Sequence, residues 1–186
     1  MKRTGVLIVL LMFLTGCSGE SKVLDRGMEL RAKLQRAAQT NFTADITADY
    51  GDKIHTFSMN CQGDAQGNVT FTVTAPESIA GITGTVADGA GKLTFDDTAL
   101  HFDLLTDEQL SPVSAPWVLL KTLRSGYLTS AGMEGEQLRL TIDDSYEEDA
   151  LQLDIWLNEA DLPVRAEVLY DGRNILSLAV TDFEIL

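Results

Sequence analysis

Strict alternation of apolar and polar residues is the feature that most restricts what this chain can fold into. In "NFTADITADY" the residues Phe42, Ala44, Ile46, Ala48 and Tyr50 share one face, and Asn41, Thr43, Asp45, Thr47 and Asp49 share the other. "HTFSMNC" sets His55, Phe57, Met59 and Cys61 against Thr56, Ser58 and Asn60, and "NVTFTVTA" sets Val69, Phe71, Val73 and Ala75 against Asn68, Thr70, Thr72 and Thr74. Side chains of a strand point alternately to opposite faces, so this pattern predicts antiparallel strands with one dry and one wet face. Gly51-Asp52, Gly63 to Gly67 and Gly89 to Gly91 punctuate the runs as hairpin connections. Further strands are expected at Ile82 to Val86, Lys92 to Asp96, Leu100 to Leu104 and Tyr127 to Met133, then in "QLRLTID", "LQLDIWL", "VRAEVLY" and "NILSLAVTDFEI". That makes a meander of ten or eleven strands.

Two segments break the alternation. From Val23 to Gln39, apolar Val23, Gly27, Leu30, Leu34 and Ala37 recur at spacings of four and three, the stripe of an amphipathic helix. In "LSPVSAPWVLLKTLRSG", Ser114 stands at the N-cap position and Pro116 in the first turn. Val113 and Val118 form a hydrophobic staple, and Gly126 marks the stop of a short helix carrying Trp117, Leu119, Leu120 and Leu123. The fold class expected is therefore α+β and mainly β.

At the N-terminus Lys2 and Arg3 precede an uncharged apolar run, Gly5 to Leu14, with the layout of a secretion signal. The run is about half of the roughly 20 residues needed to span a bilayer. "LTGC" at Leu14 to Cys17 resembles the lipobox of bacterial lipoproteins. That resemblance implies a signal peptide at 1–16, a diacylglyceryl group on Cys17, and a lipidated N-terminus with a short linker at 17–22. One domain would follow at 23–186. Two acyl chains suffice for stable attachment, at about 0.8 kcal/mol for each CH2 buried in lipid.

Charge narrows the partners. Loss of Lys2 and Arg3 with the signal takes the basic residues from 14 to 12 against 28 acidic ones, and the net charge from -14 to -16. Such a surface repels phosphate, which argues against nucleic acid and against attraction to anionic headgroups, leaving the covalent lipid as the membrane attachment. With Cys17 lipidated, Cys61 has no intramolecular disulfide partner.

Catalytic constellations are sparse. No GxSxG, HExxH, P-loop or paired CxxC occurs, and the only histidines are His55 and His101. His55, Met59 and Cys61 share a strand face and are soft enough for Cu(I). Residues four apart on a strand are separated by about 13 Å, however, so core packing is the better reading. "DDSYEED" from Asp143 to Asp149 lacks the spacing and central Gly of an EF-hand loop and reads as a solvated hairpin tip. The expectation is a protein that is not an enzyme and that holds no metal and no cofactor beyond the covalent lipid.

Taken together, the lipobox, the leading helix, the long meander, the interrupting apolar helix and the closing "LPVRAEVLYDGRNILSLAVTDFEI" resemble the lipoprotein-carrier (LolA/LolB/RseB-like) superfamily. A clostridial germination lipoprotein that supports a cortex-processing amidase is among its members. The resemblance implies a strongly curved antiparallel sheet, a half-barrel, whose apolar concave face is covered by helices. Residues expected to line or cover the hollow are Phe42, Ile46, Phe57, Met59, Phe71, Val73, Phe95, Trp117 and Leu120. It also implies a protein on the outer face of the bacterial cell membrane that binds an acyl chain or a lipidated ligand. The alternative is a tethered partner that holds or stabilises an envelope or cell-wall enzyme, with the hollow filled by its own side chains.

Overall fold

A computed structural model describes residues 18–186 except 52, 96–97, 104, 107–108 and 148–149. The signal segment, Cys17, Asp52 of the first hairpin turn and the end of the acidic tract therefore lie outside the described residues. Helix α1 (Ser18–Arg36) leads into a meander of β1 (Gln39–Asp49), β2 (Ile54–Asp64), β3 (Val69–Ala75), β4 (Thr83–Ala87), β5 (Ala90–Phe95) and β6 (Thr98–Asp103). A small ribbon, β7 (Leu105–Thr106) and β8 (Gln109–Leu110), precedes α2 (Ala115–Ser125). The second meander runs β9 (Tyr127–Glu134), β10 (Gln137–Asp143), β11 (Gln152–Leu157), β12 (Pro163–Tyr170) and β13 (Arg173–Ile185).

Among the described residues, eleven strands form one antiparallel sheet in the order β6-β5-β4-β3-β2-β1-β13-β12-β11-β10-β9, and β7 pairs with β8 in a separate ribbon. The two meanders are joined by the pairing of the first and last strands, with Ala44 opposite Val180 and Ile46 opposite Leu178. The sheet stays open, with β6 and β9 as its edges. Register shifts in β1, β2, β10, β11 and β12 add bends to the natural twist, and the sheet curves around its apolar side.

The periodic residues behave as the alternation requires. Phe42, Ala44, Ile46 and Ala48 of β1, Met59 and Cys61 of β2, and Val69, Phe71 and Val73 of β3 are buried on the concave face. The α1 stripe of Gly27, Leu30, Leu34 and Ala37 is buried too. Helix α1 already includes Ser18 to Lys22 of the expected linker and ends at Arg36 rather than Gln39. The chain leaves the helix there because the Gln39 N–H and C=O both bond to the terminal residue Leu186.

Ser114 does not cap α2 through its side chain. Its hydroxyl donates to the Ser111 carbonyl, because a 3-10 turn at Pro112–Ser114 runs straight into the helix. Gly126 does stop the helix, with φ -69°, so its glycine serves proximity: a Cβ there would stand 2.6 Å from Ile142 Cγ2.

On the outer face of β11 the alternation misleads. Trp156 has the opposite strand phase from Leu153 and Ile155, which predicts a solvent-facing side chain, yet it is only 5% exposed. The Arg165 guanidinium lies 4.3 Å and that of Arg139 5.3 Å from its ring centre, and its indole N–H donates to Glu134. Two cationic side chains laid on an aromatic face cover it from water. Beneath them Asp154, 4% exposed, accepts from Arg139 at 2.6 Å and from the Thr141 hydroxyl at 2.7 Å. Asp154→Ala leaves both donors without their acceptor and is expected to cost about 2 kcal/mol, Arg139 keeping some access to water. Urea unfolding followed by Trp fluorescence checks this, and an unchanged midpoint contradicts it.

Candidate functional site

Of the residues expected around the hollow, Phe42, Ile46, Met59, Phe71, Val73, Trp117 and Leu120 are all buried in one continuous apolar cluster. Phe57 is half-buried against it, and the Phe95 side chain lies outside the described residues. Phe42 stacks on Phe183 at 5.3 Å between ring centres, so the closing Asp-Phe of the chain supplies a wall of this cluster. Sequence reading had not assigned Phe183 to the site. Its signal was present as an apolar residue near the end of the last alternating run.

Both helices lie on the concave face, and glycines let them approach. A Cβ on Gly27 of α1 would stand 2.9 Å from Leu140, and one on Gly63 of β2 would stand 2.5 Å from Leu120 of α2. The helices also hold each other: Arg31 donates to the Leu123 carbonyl at 3.0 Å and Gln35 to the Arg124 carbonyl at 2.8 Å, which occupies the last turn of α2. Every residue of α2 from Ala115 to Leu120 is buried. Trp117, 9% exposed, is the member of this group that also borders open space.

That space is a cleft of about 670 Å³ at the margin of α2, between the end of α1 and the loops at Gln66 to Asn68 and Asp88 to Gly89. Trp117, Lys121 and Arg124 form its α2 wall. The Lys121 ammonium lies 5.5 Å from the Trp117 ring centre and 3.2 Å from Asp144. Arg124 donates to the carbonyls of Asp64 and Ala65, both at 2.8 Å, and so carries its charge on neutral acceptors. Burial disfavours the Asp64 carboxylate, but hydrogen bonds from the Asn68 side chain and from the N–H groups of Asn68, Gln66 and Gly67 outweigh it and hold the group below its usual range. The loop beside the cleft is thereby fixed. Nothing in the hydropathy pattern marked Gln35, Lys121 and Arg124 as neighbours, because they meet through the packing of two helices.

Other chemistry-bearing residues are dispersed. His55 is exposed at the start of β2, whereas Cys61 is buried and its thiol is pushed up by that burial. Among the described residues no three of His, Cys, Asp and Glu converge as a metal site. Asp144 of the acidic tract accepts from the Leu151 N–H at 2.8 Å and braces the hairpin it begins.

No protein-family model matches the sequence, and no curated protein matches it. Solved structures resemble it along most of its length. A putative outer membrane lipoprotein-sorting protein domain from Vibrio parahaemolyticus is 10% identical, with 89% of this chain and 92% of that one covered and a TM-score of 0.46. The LolA superfamily protein from Nitrosomonas europaea is 6% identical over 86% of this chain and 93% of its own, with a TM-score of 0.44. Lipoprotein LppX from Mycobacterium tuberculosis is 12% identical over 88% and 95%, also at 0.44. These likenesses give no support to the link with a germination lipoprotein.

Proposed function

We propose that this protein is a non-enzymatic lipoprotein of the bacterial envelope, anchored through Cys17, that binds an acyl-bearing ligand between α2 and the concave face. The observation that supports this reading is the placement of Trp117, whose side chain belongs to the apolar cluster and also walls the cleft beside Lys121 and Arg124. An amphipathic ligand has the same division: the tail passes behind Trp117 as α2 shifts outward, and the polar end stays in the cleft. The residues that meet the tail are those expected from sequence, chiefly Phe42, Met59, Phe71 and Leu120.

Trp117 fluorescence tests it. In a Trp156→Phe background, added lysophosphatidylcholine below its micellar concentration is expected to shift or quench the Trp117 emission, and native mass spectrometry is expected to find co-purified lipid. The Trp156 replacement is needed because that indole is buried between two arginines and contributes its own protected emission.

A second reading draws on the direct contact of α2 with the sheet, where Leu120 fills the space a side chain at Gly63 would need. On that reading the hollow is a closed core, and the protein is a tethered partner that holds an envelope enzyme by a sheet edge or its acidic face. No co-purified lipid and an unperturbed Trp117, together with retention of one envelope enzyme by the same domain, would decide for it.

A further inference from the structure

The outer face of the first meander carries an array that the lipid-binding reading does not use. Pairing registers place Thr43, Asn60, Thr72, Thr83 and Thr94 side by side in one row across β1 to β5. Asn41, Gln62, Thr70, Thr85 and Lys92 form a second row two residues away. All ten line a single trough of about 720 Å³, and Asp182 and Glu184 of β13 close its far end. Six strands at about 4.8 Å spacing make it roughly 24 Å long. Threonines form most of its floor on the twisted sheet, with Asn60 and Gln62 of β2 among them and Lys92, Asp182 and Glu184 toward its ends.

Charge on this outer face is segregated. Arg139, Asp154, Arg165 and Glu167 crowd the outer side of β10 to β12 and pair with one another. In a chain of 28 acidic residues, the two rows contain no carboxylate and a single cation, Lys92. Nine neutral side chains remain, each both donor and acceptor. Internal bonds leave capacity: Thr43 donates to Asn60 at 3.3 Å, Gln62 and Gln39 donate to Asn41 at 3.4 and 2.8 Å, and the hydroxyls of Thr70 and Thr83 donate to the carbonyls of Gln62 and Thr94, both at 3.4 Å, while among the described residues none engages the hydroxyls of Thr72 and Thr85. A polyanion would find one counter-charge here and an apolar chain would find no partner for these groups. A chain of hydroxyls satisfies donors and acceptors alike, while the threonine methyls meet the C–H faces of sugar rings.

We infer that this trough binds an uncharged, polyhydroxylated glycan chain lying across β1 to β5. The site is on the opposite side of the sheet from the concave face and does not depend on what that face binds.

The test is calorimetric titration of the full chain, in a detergent without a sugar headgroup, with the β-1,4-linked hexamer of N-acetylglucosamine. The double variant Thr72→Val, Thr85→Val keeps side-chain shape and strand preference while deleting two hydroxyls from the middle of the floor. Saturable binding by the parent protein and about tenfold weaker binding by the variant, for two lost hydrogen bonds, is the expected result. Unchanged thermal unfolding and an unchanged Trp117 response to lysolipid in the variant show that fold and concave face are intact. Failure of the hexamer to bind the parent, or equal binding by the variant, overturns the inference.

Discussion

Replacing Cys17 by Ala is expected to leave an unlipidated protein that either keeps its signal segment uncleaved or is released in soluble form. No helix among the described residues is long and apolar enough to cross a membrane. The mature chain is strongly acidic, so anionic headgroups repel it. The exposed apolar side chains near the anchor, Leu24 and Met28 of α1, are too few to hold a domain at an interface. On the proposed lipidation, membrane attachment rests on the acyl chains, whose contribution grows by about 0.8 kcal/mol with each CH2 buried. Cell fractionation with intact-mass measurement checks this. A wild-type N-terminus with unmodified Cys17 contradicts the anchor.

Gly84→Ala is expected to destabilise the fold by about 3 kcal/mol, the upper part of the range for forcing atoms into a filled core. The added Cβ would stand 2.3 Å from Phe71 Cζ and 2.8 and 2.9 Å from two other ring atoms. Phe71 is the cross-strand partner of Gly84, and its ring lies over the glycine. The ring is buried on the concave face and has no solvent to retreat into. In a Phe71→Leu background, where the far end of the ring is gone, Gly84→Ala should cost less by about 1–2 kcal/mol, a coupling that a double-mutant cycle in urea measures. A Gly84→Ala protein that unfolds at the parent's urea concentration would mean that the ring does not occupy this position.

Much of this molecule was legible in one dimension. The period-two runs at Phe42 to Tyr50, Phe57 to Cys61 and Val69 to Val73 identified strands and their dry face, because strand geometry sends successive side chains to opposite sides whatever the partner. The α1 stripe was legible for the same reason at the helical period. Burial of the proposed ligand-lining residues was legible as hydrophobic patterning, although patterning does not say whether a buried face meets a ligand or a neighbouring helix.

The remainder depended on what lies opposite. Phase placed Trp156 on the outer face, but Arg139 and Arg165 of the neighbouring strands cover it, and which residues face each other across strands is a matter of register. The two polar rows arise in the same way: the alternation identified Thr70 and Thr72 as outward, and only the pairings β3 with β4 and β4 with β5 align them with Thr85 and Lys92 and with Thr83 and Thr94. The cleft at Trp117 needs α1, α2 and two hairpin loops to converge. Local periodicity follows from backbone geometry and is written in neighbouring residues; register, strand order and helix docking follow from contacts between distant segments, and these the tertiary structure alone decided.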